Sequence, residues 1–296
     1  MNPELPQNDL QLIPASQFNY EELAAIYNQT RVDYLVPMPM NAARLAEYVH
    51  AYDVNLEQSL VATTPEGEML GVAMLGLRTN RTWLTRLGVL PNTRRHGVGK
   101  ALVNSLIERS CELGIDFMML EVIKHNTPAH QLFLKSGFVE MGELLVLRRS
   151  PLISPLTIPV GTVRALERAE ALELAARPRG TQPWTNQCES LVNVGEVEGF
   201  QATLADGSRG WLVYQHQKFI LTRFAYQTET GIPARVLLAI LAHLHGLYPR
   251  LDTQLENIQV SDPHLPAFLK MGYVEAFRRI EMWRGQPHPA LGMTYK

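Results

Sequence analysis

The sequence predicts an α/β chain built from two copies of one unit, on three observations. Leu84–Ala101 reads LTRLGVLPNTRRHGVGKA, a short apolar strand, a basic glycine turn and a helix start in succession. Two blocks of the first half return in the second. LFLKSGFVE at Leu132–Glu140 comes back as AFLKMGYVE at Ala267–Glu275, 135 positions on, and LTRLGV at Leu84–Val89 as LTRFAY at Leu221–Tyr226, 137 positions on. Finally, 296 residues at 46% hydrophobic content suffice for two domains with a sizeable core each.

Leu10–Ile13 is expected to form the first strand, and Tyr20–Asn28 a helix with Leu23, Ile26 and Tyr27 on one side. Arg31–Met40, RVDYLVPMPM, is a loop stiffened by Pro37 and Pro39. Ala42–Tyr52 predicts a second helix. Ser59–Ala62 and Met69–Leu77 predict a hairpin turning at Pro65–Glu68, and Leu84–Leu90 a buried strand closed by Pro91-Asn92. In Lys100–Cys111, Ala101, Leu102, Leu106 and Ile107 recur at helical spacing and leave Lys100, Asn104, Glu108 and Arg109 to the other face. Leu120 and Val122 read as a strand, Asn126–Pro128 as a helix start, and Leu144–Leu147 as the last strand of the copy. The following RRSPLISPLTIPVG, with Pro151, Pro155 and Pro159 and no helical period, predicts a connector and two domains over 1–154 and 155–296.

Between the central strand and its helix lies RRHGVG. Gly97 and Gly99 have no Cβ to hold the backbone off a ligand, and amides at a helix start are unsatisfied donors at the positive end of the dipole. Such a turn suits a pyrophosphate, with added charge from Arg94, Arg95 and Lys100. It is not a Walker loop, since Ala101 follows Lys100 and no glycine stands at the required distance. Nor is it a dinucleotide fingerprint, which needs glycine where Leu102 stands. What remains, R-x-x-G-x-G from Arg94 to Gly99 after an apolar strand, resembles motif A of the GNAT superfamily of acetyl-CoA-dependent N-acyltransferases. Leu120–Phe138, LEVIKHNTPAHQLFLKSGF, resembles motif B of that superfamily, where a strand ends near an asparagine and a helix leads to L-[YF]-x-x-x-G-F. The two stand in family order and at family spacing, and the resemblance spans roughly Leu84 to Leu147.

The resemblance implies two tandem GNAT folds, each a mixed, mostly antiparallel twisted sheet flanked by helices, with acetyl-CoA as acyl donor to an amine acceptor. It implies main-chain hydrogen bonds from Leu87, Gly88 and Val89 along the pantetheine arm, the Val89 amide also facing the thioester oxygen. It puts pyrophosphate on the amides of Arg94, Arg95, His96, Gly97, Val98, Gly99 and Lys100, with Asn126 and Phe133 bordering the arm. The loop after the first helix lines the acceptor side in this fold, which makes Asp33 and Tyr34 candidate substrate residues. Glu121 is the candidate general base, by resemblance to ribosomal-protein N-terminal acetyltransferases, and desolvation there would raise its pKa. The same glutamate could instead order water or substrate. Phe133 stands where many members carry a tyrosine that protonates the leaving thiolate. That proton is expected from another hydroxyl such as Tyr34, from water, or not at all.

The second copy is expected to lack the donor site. Where the first has LPNTRRHGVG it reads QTETGIP before ARVLLAILAHLHGLY. Both arginines are gone, Gly231 alone is left, Pro233 removes an amide donor, and Glu229 would repel a phosphate. His243 and His245, two positions apart, fall on different faces of that helix and are expected to be partly exposed, with no metal to bind. A net charge of -2, with 13 basic and 16 acidic side chains in residues 1–150 and 14 and 13 in the rest, argues against nucleic acid as a partner. No run approaches the roughly 20 apolar residues of a membrane span. Cys111 and Cys188 make neither a disulfide framework nor a metal motif, and MNPELPQNDLQLIP lacks the basic start and apolar core of a signal peptide. A reducing, cytoplasmic setting is therefore expected. Two rival readings stand beside the enzyme of small amines: a non-catalytic acyl-CoA-binding or sensor protein, slightly favoured by the missing tyrosine, and a protein N-terminal or lysine acetyltransferase.

Overall fold

The structure, a computed structural model, describes residues 10–151, 159–177, 179, 180 and 182–288. The first copy runs β1 (Gln11–Pro14), α1 (Tyr20–Gln29), α2 (Ala42–Ala51), β2 (Val54–Thr63), β3 (Met69–Arg78), β4 (Arg81–Val89), α3 (Val98–Glu112), β5 (Met118–Ile123), α4 (Thr127–Lys135) and β6 (Val139–Arg149). The second runs β7 (Gly161–Ala165), α5 (Arg168–Ala176), α6 (Cys188–Val194), β8 (Glu198–Leu204), β9 (Arg209–Gln217), β10 (Ile220–Thr230), α7 (Pro233–Leu247), β11 (Asp252–Gln259), α8 (Leu265–Lys270) and β12 (Val274–Arg284). Strands β2 and β6 are longer than expected because they open on polar residues, Asn55, Glu57 and Gln58 in one and Glu140 and Glu143 in the other, which an apolar pattern passes over. The expected boundary at 154/155 lies outside the described residues. No described helix is long and apolar enough to cross a membrane.

Two compact units result, one of residues up to Met141 together with those from Glu281 on, the other of Gly142–Ile280. In the first the strand order is β1-β2-β3-β4-β5 with the end of β12 beside β5, and in the second β6-β11-β10-β9-β8-β7. The copies thus exchange their last strands. Leu144–Arg149 of β6 pair antiparallel with Thr253–Gln259 of β11, while Trp283 at the end of β12 meets Phe117 edge-on at 5.3 Å. Packing units and sequence halves therefore differ, since a proline-rich connector marks where the chain passes on and says nothing of which edge a strand will pair with.

In the first unit β1 to β4 pair antiparallel and β4 pairs parallel with β5; in the second β6 with β11 and β7 to β10 pair antiparallel, and β10 pairs parallel with β11. A parallel step needs a long crossover, and α3 and α7 supply it. Strand β3 is buried from Leu70 to Gly76, the mark of a strand covered on both faces, and α1 and α3 both pack on it. The loop between α1 and α2 is pinned at its base. Asn28 Nδ2 donates to the Met40 carbonyl (2.8 Å) and its Oδ1 accepts the Met40 amide (2.9 Å).

Both copies carry the same irregularity. Arg86 (φ 53°) and Arg223 (φ 52°), 137 positions apart, lie in the left-handed region. Each sits where one extra residue shifts the register, of β4 against β3 and of β10 against β9. Parallel pairing is confined to the residues before the bulge, Thr82 and Trp83 with β5 and Ile220 and Leu221 with β11.

His245 departs from expectation. It is 5% exposed, with Nε2 2.8 Å from the Tyr273 hydroxyl, because α7 is apolar over most of its surface and buries more than one face; His243 is half-buried, its ring against Phe200. Burial, with Arg149 nearby, pushes the His245 imidazole from 6.5 down to about 3. Neutral in the fold and chargeable in the unfolded chain, it takes stability away as pH falls from 6.5 toward 3. Denaturant unfolding is expected to show the wild type losing stability over that window by up to about 1.4 kcal/mol per pH unit more than His245→Gln. Parallel losses in the two proteins would contradict a buried neutral imidazole.

Candidate active site

The bulge at Arg86 opens the first unit. Residues 81–85 of β4 are buried, whereas 86–90 are partly exposed. The Leu90 amide donates to the Leu70 carbonyl (2.9 Å), so by antiparallel alternation Val89 turns its N–H away from β3, to the side where pairing with β5 has ended. Gly88 lets the end of α1 lie directly on this strand. A Cβ there would stand 2.1 Å from Thr30 Oγ1, and Thr30 is itself buried and bonded to the Tyr27 carbonyl (2.7 Å).

The turn after β4 is shaped to present amides. Arg95 (φ 70°) and Gly97 (φ 89°) both take left-handed backbone, and Gly97 is the N-cap of α3 without a capping side chain. The Ala101 amide makes the first bond into the helix, to the Gly97 carbonyl (2.9 Å), so the amides of Val98, Gly99 and Lys100 precede it at the positive end of the dipole. Arg95 and Lys100 are exposed, and His96 is half-buried with Nδ1 lacking a hydrogen-bond partner. Gly99 sits between Val89 and Leu132, each in ordinary contact at 3.5 Å from its Cβ position, so that β4, α3 and α4 converge here.

The loop after α1 is tied to both walls of this opening. The Arg94 guanidinium grips both carboxylate oxygens of Asp33 (2.6 and 2.7 Å) and donates to the carbonyls of Val89 and Thr30 (both 3.1 Å). The hydrogen bond from Arg94 holds the Asp33 carboxyl below its ordinary 3.8, so the pair persists at any pH above that value. Residues expected to serve pyrophosphate and acceptor separately are thus bound to each other, and Arg95 and Lys100 remain exposed. Three residues before Tyr34, Arg31 reaches the Leu87 carbonyl (3.4 Å). On the other wall the Tyr34 hydroxyl accepts from Asn126 Nδ2 (3.1 Å), while Asn126 Oδ1 caps α4 through the Ala129 amide (3.4 Å).

Glu121 lies near the end of β5, half-buried, with Oε2 accepting from the Trp83 indole (2.8 Å). Trp83 belongs to a cluster with Tyr48 and Tyr52 at ring distances of 6.1 and 5.9 Å. Burial raises the Tyr48 hydroxyl pKa, and the neutral group is 2.6 Å from Thr85 Oγ1. Phe133 is 4% exposed and packs edge-on against Phe138 at 5.8 Å. Trp83, Tyr48, Arg31 and Arg86 escaped the sequence reading, although Arg86 could have been noticed as the arginine repeated at Arg223.

In the second unit the equivalent place is bridged. Strand β10 continues to Thr230 and α7 begins at Pro233, leaving Gly231 and Ile232 as the whole turn. Tyr226, 137 positions after Val89, donates to Asp262 Oδ2 (2.7 Å), and Asp262 stands 136 positions after Asn126. His264 continues the bridge, with Nδ1 2.9 Å from Asp262 and Nε2 3.0 Å from Thr228 Oγ1. Glu229 is paired with Arg209 at 2.5 Å. Among the described residues no group of three or more His, Cys, Asp and Glu is placed to hold a metal ion.

Gly88→Ala is expected to lower stability by about 1–3 kcal/mol, the usual cost of forcing volume into a packed place. An unchanged thermal midpoint would show that the end of α1 yields freely.

The profile of the acetyltransferase (GNAT) family matches residues 22–138. A GCN5-related N-acetyltransferase from Sphaerobacter thermophilus superposes with a TM-score of 0.67 at 15% identity, over 95% of this chain and 96% of that one. A tandem GNAT protein from the clavulanic acid biosynthesis pathway does so with 0.65 at 12%, over 95% and 100%. A glucosamine N-acetyltransferase region in a fungal multi-domain GH3 β-N-acetylglucosaminidase gives 0.71 at 14%, over 92% and 38%. No curated protein sequence matches the chain. At these identities the likeness speaks for the fold, and it extends over nearly the whole chain. Residues 22–138, which hold the motif A turn and the motif B strand and helix, thus match the acetyltransferase (GNAT) family, and the fold over nearly the whole chain is that of a tandem GNAT.

Proposed function

We propose that the chain is an acetyl-CoA-dependent N-acetyltransferase whose first unit performs the chemistry on a primary amine and whose second unit has lost the donor site. What supports this reading is that the bulge at Arg86 turns the Val89 amide away from β3 where pairing with β5 has ended, that Glu121 stands on β5, and that the amides of Val98, Gly99 and Lys100 precede the first helix bond just beyond the same strand. The amides from Arg95 to Lys100 hold pyrophosphate, with charge from Arg95 and Lys100. Leu87 to Val89 line the pantetheine arm, which Asn126 and the start of α4 border. The chemistry of these groups fits the donor, since they offer N–H groups and cations to phosphate and an amide to an acyl oxygen.

Glu121 takes a proton from the acceptor ammonium, held in position by the Trp83 indole on Oε2. The freed amine attacks the thioester carbonyl carbon while the Val89 amide donates to the oxygen that gains charge. The C–S bond then breaks, and CoA leaves as a thiolate. Phe133 has no proton to give and is buried against Phe138. We assign the thiolate's proton to Tyr34, whose hydroxyl sits beside Asn126; the second proton that the attacking nitrogen sheds as the amide forms passes to the Tyr34 oxygen and restores the hydroxyl, and Glu121 returns its proton to solvent. In the second unit the Tyr226–Asp262–His264 bridge and the two-residue turn support loss of donor binding. The cytoplasm is the setting this reading takes, because acetyl-CoA must be at hand.

Glu121→Gln keeps the side chain's shape and removes the proton acceptor. Turnover is expected to fall by roughly two to four orders of magnitude with acetyl-CoA affinity nearly intact. Turnover within a few-fold of the parent at every pH would make Glu121 an ordering group. Tight acetyl-CoA binding with no transfer to any amine would instead favour the acyl-CoA-binding reading that the phenylalanine at position 133 suggests.

A further inference from the structure

Asp33 and Tyr34 are neighbours in a segment that apolar burial does not hold, since Val32 before them and Leu35 after them are 75% and 59% exposed. Polar contacts hold it instead. The Tyr34 amide donates to the Arg31 carbonyl (3.1 Å), and the Arg31 guanidinium lies over the Tyr34 ring at 4.0 Å while reaching the Leu87 carbonyl at 3.4 Å. Because Asn126 Oδ1 accepts the Ala129 amide, its Nδ2 is the atom turned to Tyr34, and the tyrosine oxygen accepts there. That bond does not use the phenolic proton, which stays free for a leaving thiolate.

Arg94 belongs to the same arrangement. Its Nε donates to the Val89 carbonyl (3.1 Å), its Nη2 to the Thr30 carbonyl (3.1 Å) and to Asp33 Oδ1 (2.7 Å), and its Nη1 to Asp33 Oδ2 (2.6 Å). These four bonds leave one of the five N–H donors of a guanidinium for anything else. One side chain therefore ties Thr30 and Asp33 to Val89, whose amide is set against the acyl oxygen in the mechanism above. A bidentate carboxylate fixes direction as well as distance, and Asp33 is followed directly by Tyr34.

We infer that Arg94 and Asp33 are positioning residues for acyl transfer: their pair holds Tyr34 where its hydroxyl protonates the sulfur as the C–S bond breaks, and neither is a principal ligand of pyrophosphate or acceptor. The inference rests on the N-acetyltransferase reading of this site. A phosphate role for Arg94 makes the opposite demand, because Asp33 would then compete with the donor and its removal would tighten acetyl-CoA binding.

The test uses the full chain, with CoA release from acetyl-CoA measured on phenethylamine, spermidine, glucosamine and lysine, and acetyl-CoA binding measured by calorimetry. Tyr34→Phe is expected to lower kcat by roughly 100-fold, the usual scale of a general acid. Asp33→Ala should lower kcat by about 10-fold and Asp33→Glu should recover part of it, with acetyl-CoA affinity within about threefold of the parent in both. Added to Tyr34→Phe, Asp33→Ala should cost less than about twofold more, because it acts through a hydroxyl already gone. Both partners of the ion pair are well exposed, at 39% and 52%, so the variants are expected to keep the parent's thermal midpoint; Asp33→Asn, which keeps the shape and loses the charge, goes through the same cycle as the milder change. Losses that multiply in the double variants, an unchanged kcat in Asp33→Ala and Asp33→Asn, or tighter acetyl-CoA binding in either would overturn the inference while leaving the acetyltransferase standing. Acetyl-CoA binding without transfer to any of these amines would overturn the reading beneath it, and the inference with it.

Discussion

One extra residue in β4 governs the first unit. Ordinary pairing from Arg81 to Val89 would keep β5 alongside and bury every backbone group between them. The bulge at Arg86 ends that arrangement after Trp83, leaves residues 86–90 partly exposed, and turns the Val89 amide toward the gap. The other parts of the site take their places from it. The end of α1 closes on Gly88, the loop from Arg31 to Tyr34 reaches from Arg94 on one wall to Asn126 on the other, and the α3 amides begin beyond the strand's end.

The second unit shows that the bulge alone does not make a site. Arg223 repeats it at nearly the same φ. There, however, the residue at the place of Val89 is a tyrosine whose hydroxyl burial pushes well above its usual pKa, so that it stays protonated and donates to Asp262. Asp262, His264 and Thr228 then link β10 to the turn after β11, and a two-residue connection replaces the amide-bearing loop.

What was legible beforehand was local. Gly97 stands where φ is 89°, the two recurring blocks fall on corresponding strands β4 and β10, and Asn126 caps the helix that follows it. Each is a property of a few consecutive residues or of exact recurrence. What was not legible depends on distant neighbours. Asp33 and Arg94 are 61 positions apart, and nothing in either stretch announces their pairing. His245 is buried because α7 hides more than one face, a fact that the two-residue spacing of the histidines cannot reveal. The exchange of last strands is a choice among sheet edges, and Arg31 and Arg86 read as ordinary surface bases until the fold brings both against Tyr27.

Calorimetric titration of acetyl-CoA into the full chain tests most directly whether the opened first unit alone holds the donor. One equivalent per chain is predicted, with the heat lost when Gly97→Glu and Gly99→Glu are combined to fill and charge the turn. Two equivalents, or binding that survives the double substitution, would contradict it.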